Sequence, residues 1–222
     1  MVGLMHMTVI GVTGPSGAGK SLFCSRFAEA GYRVIDCDAV YHEMISRPSR
    51  CVAELSREEN FGRGILLPDG SVDRRALSRE VFAGTPEAGK KLGLLNAITH
   101  RHVRTSIKRR LSHPGNNRRG FVIDAPLLFQ AGVEADCCLT VAVLASGKIR
   151  LERLRRRDGL PDSDLMARLG AAPSDEWYSG LADVTVVNDG SRGRLFSAAD
   201  AIMKMIDEGR SPEEIKKAAV SG

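Results

Sequence analysis

No uninterrupted apolar stretch in these 222 residues is long enough to cross a bilayer, and no internal repeat or low-complexity block is present. A membrane-spanning helix and a repeat architecture are therefore not expected. The opening segment "MVGLMHMTVIGVTG" carries neither a basic start nor a cleavage site, so the expectation is a cytoplasmic protein rather than a secreted one. The five cysteines, Cys24, Cys37, Cys51, Cys137 and Cys138, form no C-x-x-C pair and no Cys/His cluster at zinc spacing, which points to reduced thiols. His100 and His102 also lack a cysteine or carboxylate at ligand spacing; a helix surface or helix junction is the expected place for both. Aromatic residues make up only 5% of the chain, and none interleaves with the basic run "RHVRTSIKRRLSHPGNNRR". A stacking platform for bases is thus missing, the run reads as a solvated helix face, and no nucleic-acid partner is expected. Trp177 and Tyr178 read as packing residues.

What the chain does contain is an ordinary soluble composition, 43% hydrophobic and 27% charged, sufficient for one large domain or for a core carrying an inserted subdomain. Its net charge of +5 suits an acidic small ligand such as a polyphosphate. The strongest local signal is "GPSGAGKS", Gly14 to Ser21, placed between the apolar run "MTVIGVTG" and the helical stretch "KSLFCSRFAEAG". A glycine-rich turn in that position aims backbone N–H groups and a helix N-terminus at phosphates, Lys20 reaches the terminal ones, and Ser21 meets a magnesium ion. The bland alternative is a mere glycine turn between strand and helix.

Strand, phosphate loop, helix and the second short strand "YRVIDCD" predict a right-handed βαβ crossover and a parallel sheet, whose ligand lies at the carboxyl ends of the strands. A helix over "AVYHEMIS" follows, closed by Pro48, and from about Ser49 to Ser112 the pattern is mainly helical with a turn at "LPDGSVDR". After the loop "SHPGNNRRG" the sheet resumes at "GFVIDAPLLF" and "CCLTVAVLA". The basic helix "SGKIRLERLRRRDGL", a helical segment interrupted at Pro173, the last strand "DVTVVND", an amphipathic helix with Ile202, Met205 and Ile206 on one side, and the short helix "SPEEIKKA" complete the chain.

Asp36 and Asp38 alternate, so on an extended strand they point the same way. Either could accept the proton of an attacking hydroxyl near a γ-phosphate; capping the next helix and supporting the loop backbone are the competing uses. Asp124 fits a carboxylate that reaches magnesium through water, or a strand-end turn residue. Helical spacing puts Arg150, Arg153 and Arg157 on one face, where one or two of them could close over a nucleotide while the rest pair with Glu152 and Asp158.

Taken in order, "VIGVTGPSGAGKS", "VIDCDAV", "FGRGILLPDGSVDRRALSREVF", "LNAITHRHV", "FVIDAPLLF", "RLERLRRRDG" and "ADVTVVNDG" resemble the dephospho-CoA kinase family from about Thr8 to Gly190. The resemblance implies a phosphate-loop α/β fold with a parallel sheet flanked by helices. Its nucleotide-binding core would be residues 8–48 and 113–207, with a lid over about 148–178, a helical substrate subdomain at 49–112 and a tail helix at 208–222. It implies transfer of the ATP γ-phosphate, with Mg2+, to the ribose 3′-hydroxyl of dephospho-CoA; separately from the resemblance, a monomer or weak homo-oligomer is expected. Catalysis would fall to Asp38, Lys20 and Arg153, and the resemblance favours Asp38 as the base. Nucleotide binding would fall to Gly14, Gly17, Ala18, Gly19, Lys20, Ser21, Leu22, Arg157 and Asn188, and acceptor binding to Thr13, Asp38, Arg74, Leu77 and His100. Ser21 would hold the magnesium, with Asp124 acting through water. The chain departs from the family at Gln130, where Glu is usual, at Arg101, where Pro is frequent, and at Pro173, where Gln is favoured. A kinase for another small metabolite or nucleoside would not need the long helical insertion. A nucleotide-binding relative without turnover would not need Lys20, Asp38 and Arg153 together.

Overall fold

The computed structural model describes residues 7–114 and 119–220, so part of the loop expected at Ser112–Gly120 lies outside the described residues. Strand β1, Val9–Thr13, runs into the glycine turn and then into helix α1, Lys20–Glu29. Strand β2, Arg33–Asp36, leads directly into α2, Cys37–Ile45. Three helices follow, α3 (Arg50–Leu55), α4 (Arg74–Val81) and the long α5 (Pro86–Leu111). The sheet is then rejoined by β3, Phe121–Asp124, and β4, Leu139–Leu144. Helices α6 (Gly147–Asp158), α7 (Asp162–Gly170) and α8 (Asp175–Leu181) come next, then β5, Val184–Val187, α9 (Arg192–Asp207) and α10 (Pro212–Val220).

The five strands lie in the order β2-β3-β1-β4-β5. β1 pairs in parallel with β3 (Val9 opposite Phe121) and with β4 (Ile10 opposite Leu139), and β4 pairs in parallel with β5. Every residue of β3 and β4 is buried, the signature of parallel strands covered on both faces. β5 is at the edge and alternates, with Val184 and Val186 in and Thr185 and Val187 out. α1 covers one face through Phe23 and Phe27, whose rings stand 5.3 Å apart, and Tyr32 meets Phe27 edge-on at 5.4 Å. Leu195, Ala199, Ile202 and Met203 of α9 and Ile215 of α10 join the same core, with Met205 and Ile206 packed at its margin. A bidentate pair, Arg26 Nε to Asp200 Oδ1 at 2.7 Å and Nη2 to Oδ2 at 3.1 Å, ties α1 to α9. Tyr178 of α8 packs on Ala142 and Leu144 of β4, and Trp177 meets Phe129 edge-on at 5.9 Å, so both are packing residues as expected.

The chain divides into two compact units, one made of the residues up to Ile35 and from Pro114 onward, the other Asp36–His113. The second has its own core, in which Ile45, Val52, Leu55, Ile65, Leu77, Val81, Leu95 and Ile98 are buried. Its turn at "LPDGSVDR" is built by local chemistry. Asp69 Oδ1 accepts from Ser71 N and Ser71 Oγ, Leu66 and Val72 form an antiparallel bridge, and Asp73 caps α4 by accepting from Arg75 N and Ala76 N. Thr85 caps α5, with Pro86 in its first turn.

The boundary between β2 and α2 differs from the sequence expectation. The strand expected over "YRVIDCD" stops at Asp36, and Cys37 and Asp38 already belong to α2. The Asp36 carboxylate accepts from Ala39 N at 3.0 Å, a side-chain cap that starts the helix two residues before the apolar pattern does. Asp36 and Asp38 therefore do not alternate along a strand, and the capping role belongs to Asp36.

Candidate active site

In the sheet unit the glycines of the loop are fixed by close approach. Gly14 has φ +136°, and a Cβ there would lie 2.0 Å from the Val143 carbonyl oxygen on β4. A Cβ on Gly19, at φ +100°, would lie 2.3 Å from Asn188 Nδ2, and one on Gly17, at φ +81°, 2.9 Å from the Arg150 carbonyl oxygen. The loop is thus pressed between β4, α6 and the end of β5, and only glycine fits. Gly19 is the N-cap of α1 and supplies no side chain, so the first N–H groups of that helix are left for a ligand.

Lys20 Nζ lies back over the loop, donating to Gly14 O at 2.9 Å and Pro15 O at 3.3 Å. Ser21 Oγ donates to Asp124 Oδ2 at 3.0 Å across β1 and β3. Asp124 is buried at the end of β3, which gives a hydroxyl and a carboxylate, both hard oxygen ligands, next to one another below the loop. Ala18 is fully buried, and Leu22 packs at the margin of the sheet core. Thr13 is likewise fully buried, its hydroxyl donating to Pro126 O at 3.2 Å.

Helix α6 sends two arginines to the loop. Arg153 Nη1 donates to Gly17 O and Ala18 O, each at 3.3 Å, and its Nη2 to Asn188 O at 2.9 Å. Asn188, buried just beyond β5, donates from Nδ2 to Ala18 O at 2.8 Å. Arg150 Nε donates to Ser16 O at 3.1 Å. Arg157 lies at the exposed end of the helix with its Nε on Asp158 Oδ1 at 2.6 Å. The start of α6 is held in turn by Asp189, which accepts from Ser146 N at 2.7 Å. Helical spacing placed the three arginines on one face; it did not distinguish the two that reach the loop, and it gave no sign of Asp189. The only hint of the latter was an Asn-Asp pair directly after an apolar strand.

In the helical unit, Asp38 sits in the first turn of α2, Arg74 is exposed at the first position of α4, Leu77 is buried in the core, and His100 is half-buried on α5. Glu54 of α3 accepts from Arg101 and makes a 2.8 Å contact from Oε2 to His102 Nε2. The hydrogen bonds from Arg101 and His102 hold the Glu54 carboxyl down at about 2. Burial, with the Glu54 charge nearby, pushes the Cys51 thiol up to about 11. His102 is thus a helix-junction residue, and the unexpected Arg101 has a local structural use. Gln130 is exposed, and Pro173 lies in the short break between α7 and α8.

A parallel sheet whose first strand turns through this loop into a helix, with Lys20, Ser21 and Asp124 gathered at the turn, defines the class of phosphate-loop kinases. Within that class the dephospho-CoA kinase family matches residues 8–193, and the chain belongs to it. The dephospho-CoA kinase of Anaeromyxobacter dehalogenans is 38% identical over 208 residues, which cover 92% of this chain and 94% of that protein. A solved structure of a Thermus thermophilus protein superposes with a TM-score of 0.71 at 31% identity, covering 90% of this chain and 97% of the other. The structure of dephospho-CoA kinase from Campylobacter jejuni gives a TM-score of 0.65 at 23% identity, over 90% and 98% of the two chains, a likeness of fold.

Proposed function

We propose that the protein transfers the γ-phosphate of ATP to the 3′-hydroxyl of the ribose of dephospho-CoA. The observation that carries this reading is the glycine loop, packed so closely on β4, α6 and Asn188 that a β-carbon at Gly14, Gly17 or Gly19 would collide, within a chain that matches the dephospho-CoA kinase family from residue 8 to 193. The residues present fit a magnesium nucleotide. The N-terminus of α1 and the loop N–H groups would face polyphosphate charge, Lys20 is a cation already at the loop, and Ser21 with Asp124 supplies oxygen ligands of the kind Mg2+ prefers. Bound there, the metal would neutralise phosphate charge as the phosphoryl group leaves.

Lys20, whose ammonium already lies over the loop, donates to phosphate oxygens, charged acceptors that make the stronger hydrogen bonds. Arg153, anchored on Gly17 O, Ala18 O and Asn188 O, keeps cationic charge beside the loop as negative charge builds on the transferring group. Arg157 and Asn188 serve the nucleotide side. Asp38 accepts the proton of the ribose hydroxyl; Asp36 already caps α2, so Asp38 is not needed for that task. Arg74 and His100 bind the acceptor in the helical unit, and Leu77 anchors α4 so that Arg74 is held in place.

Purified protein with MgATP is expected to release ADP only when dephospho-CoA is added. Equal release with pantetheine or adenosine, or none with any acceptor, would sink the proposal. Asp38→Asn is expected to lower kcat by about two to four orders of magnitude, the usual worth of a general base, with ATP affinity little changed.

A further inference from the structure

Three successive carbonyl oxygens of the phosphate loop, those of Ser16, Gly17 and Ala18, are held by side chains from outside the loop. A peptide unit is planar and trans, so the carbonyl of one residue and the N–H of the next leave opposite edges. Fixing Ser16 O therefore fixes the direction of Gly17 N–H, and fixing Ala18 O does the same for Gly19 N–H. Both N–H groups are turned away from the arginines of α6, as an anion-binding nest requires.

Arg150 is the member of this set with no role so far. It is 7% exposed, although it is a full cation. Its Nε is committed to Ser16 O, its Nη1 lies 3.7 Å from Asp175 Oδ1 at the first residue of α8, and its Nη2 is buried with no hydrogen-bond partner among the described residues. Burying a guanidinium costs several kcal/mol unless it is fully paired, a cost that a neutral side chain filling the same space would not incur. The contact is also stiff, because the α6 backbone at Arg150 abuts Gly17 directly.

We infer that Arg150 is a positioning residue for phosphoryl transfer: it holds the Ser16–Gly17 peptide in its anion-binding orientation and, through Asp175, ties the loop to the start of α8. The inference rests on the reading that this loop holds the nucleotide's phosphates. Arg150 acts through the backbone and need not touch the ligand.

The test uses the full chain with Arg150→Met, Arg150→Lys and Asp175→Asn. Magnesium tripolyphosphate and adenosine are titrated separately by calorimetry, kcat and KM for ATP are measured, and Trp177 emission serves as the folding control. A hydrogen bond from a charged group is worth about 1.5–3 kcal/mol, or roughly ten- to a hundredfold in affinity. Arg150→Met is expected to weaken tripolyphosphate at least about tenfold and to raise KM for ATP in parallel, with a smaller change in kcat and none in adenosine binding. Arg150→Lys recovers only part of the loss, since an ammonium lacks the planar fork that spans two acceptors. Asp175→Asn shifts tripolyphosphate affinity in the same direction by less. Tripolyphosphate affinity within twofold of the parent in both Arg150 variants, or an equal loss for adenosine, would overturn the inference. Failure of the parent protein to bind tripolyphosphate at all would overturn the reading of the loop itself, and this inference with it.

Discussion

At the scale of single residues, the pair Asp36 and Asp38 shows what spacing can and cannot reveal. The sequence marks two carboxylates at the end of an apolar strand, but a strand and a capped helix both accommodate "IDCD". Only the hydrogen bond from Ala39 N decides that Asp36 is the cap. Glu54 was invisible in the sequence because its partners lie 47 and 48 residues further on. Its carboxyl is held at about 2, below the ordinary 4.5, first by Arg101 and then by His102. A depressed carboxyl stabilises the fold fully above its unfolded value and loses that contribution as pH falls from 4.5 toward 2. Glu54→Gln is therefore expected to lower stability above pH 5 and to flatten the acid side of the stability curve, measured by urea denaturation at several pH values. A variant that follows the parent's curve at every pH would remove Glu54 from this account. The thiols divide the same way: Cys138 is exposed, whereas Cys51 is buried with its thiol raised to about 11, so alkylation near neutral pH should label Cys138 and spare Cys51.

At the scale of elements, most of the sheet unit was legible. Fully buried parallel strands read as short apolar runs, and the loop motif fixes where the first one ends. Glycine offers a sharper test, because two glycines of the same chain predict opposite outcomes. Gly14 combines φ +136° with a β-carbon position 2.0 Å from a backbone oxygen, which no rotamer change can relieve. Gly14→Ala is expected to cost at least about 2 kcal/mol and to abolish nucleotide binding. Gly93, inside α5, has nothing within 4 Å of its β-carbon position, so Gly93→Ala should stabilise the helix by about 0.5–1 kcal/mol. Chemical denaturation of the two variants beside the parent settles both signs. What could not be read from α6 was the division of labour among its arginines. Periodicity gives a face, whereas the partners, Ser16 and Ala18, lie more than 130 residues away in sequence.

For the whole molecule, the sheet unit and the helical unit each have a buried core, so ligand binding should register first in the unit that carries the loop. Trp177, the only tryptophan, belongs to the unit that carries the loop. A ligand at a hundred times its Kd stabilises the state that binds it by about 2.7 kcal/mol, or roughly 5–10 °C in Tm for a chain of this size. MgADP at that excess is expected to raise the unfolding temperature seen by Trp177 emission by this amount. An unmoved Trp177 transition at saturating MgADP would place the nucleotide elsewhere.

The strand order also bears on how the chain is made. β1 lies between β3 and β4, so Val9 waits for Phe121 and Ile10 for Leu139 before either has a neighbour. At the usual pace of synthesis of about 5–20 residues per second, that wait is on the order of ten seconds. During it the helical stretch Asp36–His113, which has a buried core of its own, has already left the ribosome and can fold, while the apolar first strand stays unpaired. Ribosome-arrested chains ending before β3 should therefore expose the first strand to protease and to holdase chaperones, and chains extended past β4 should not.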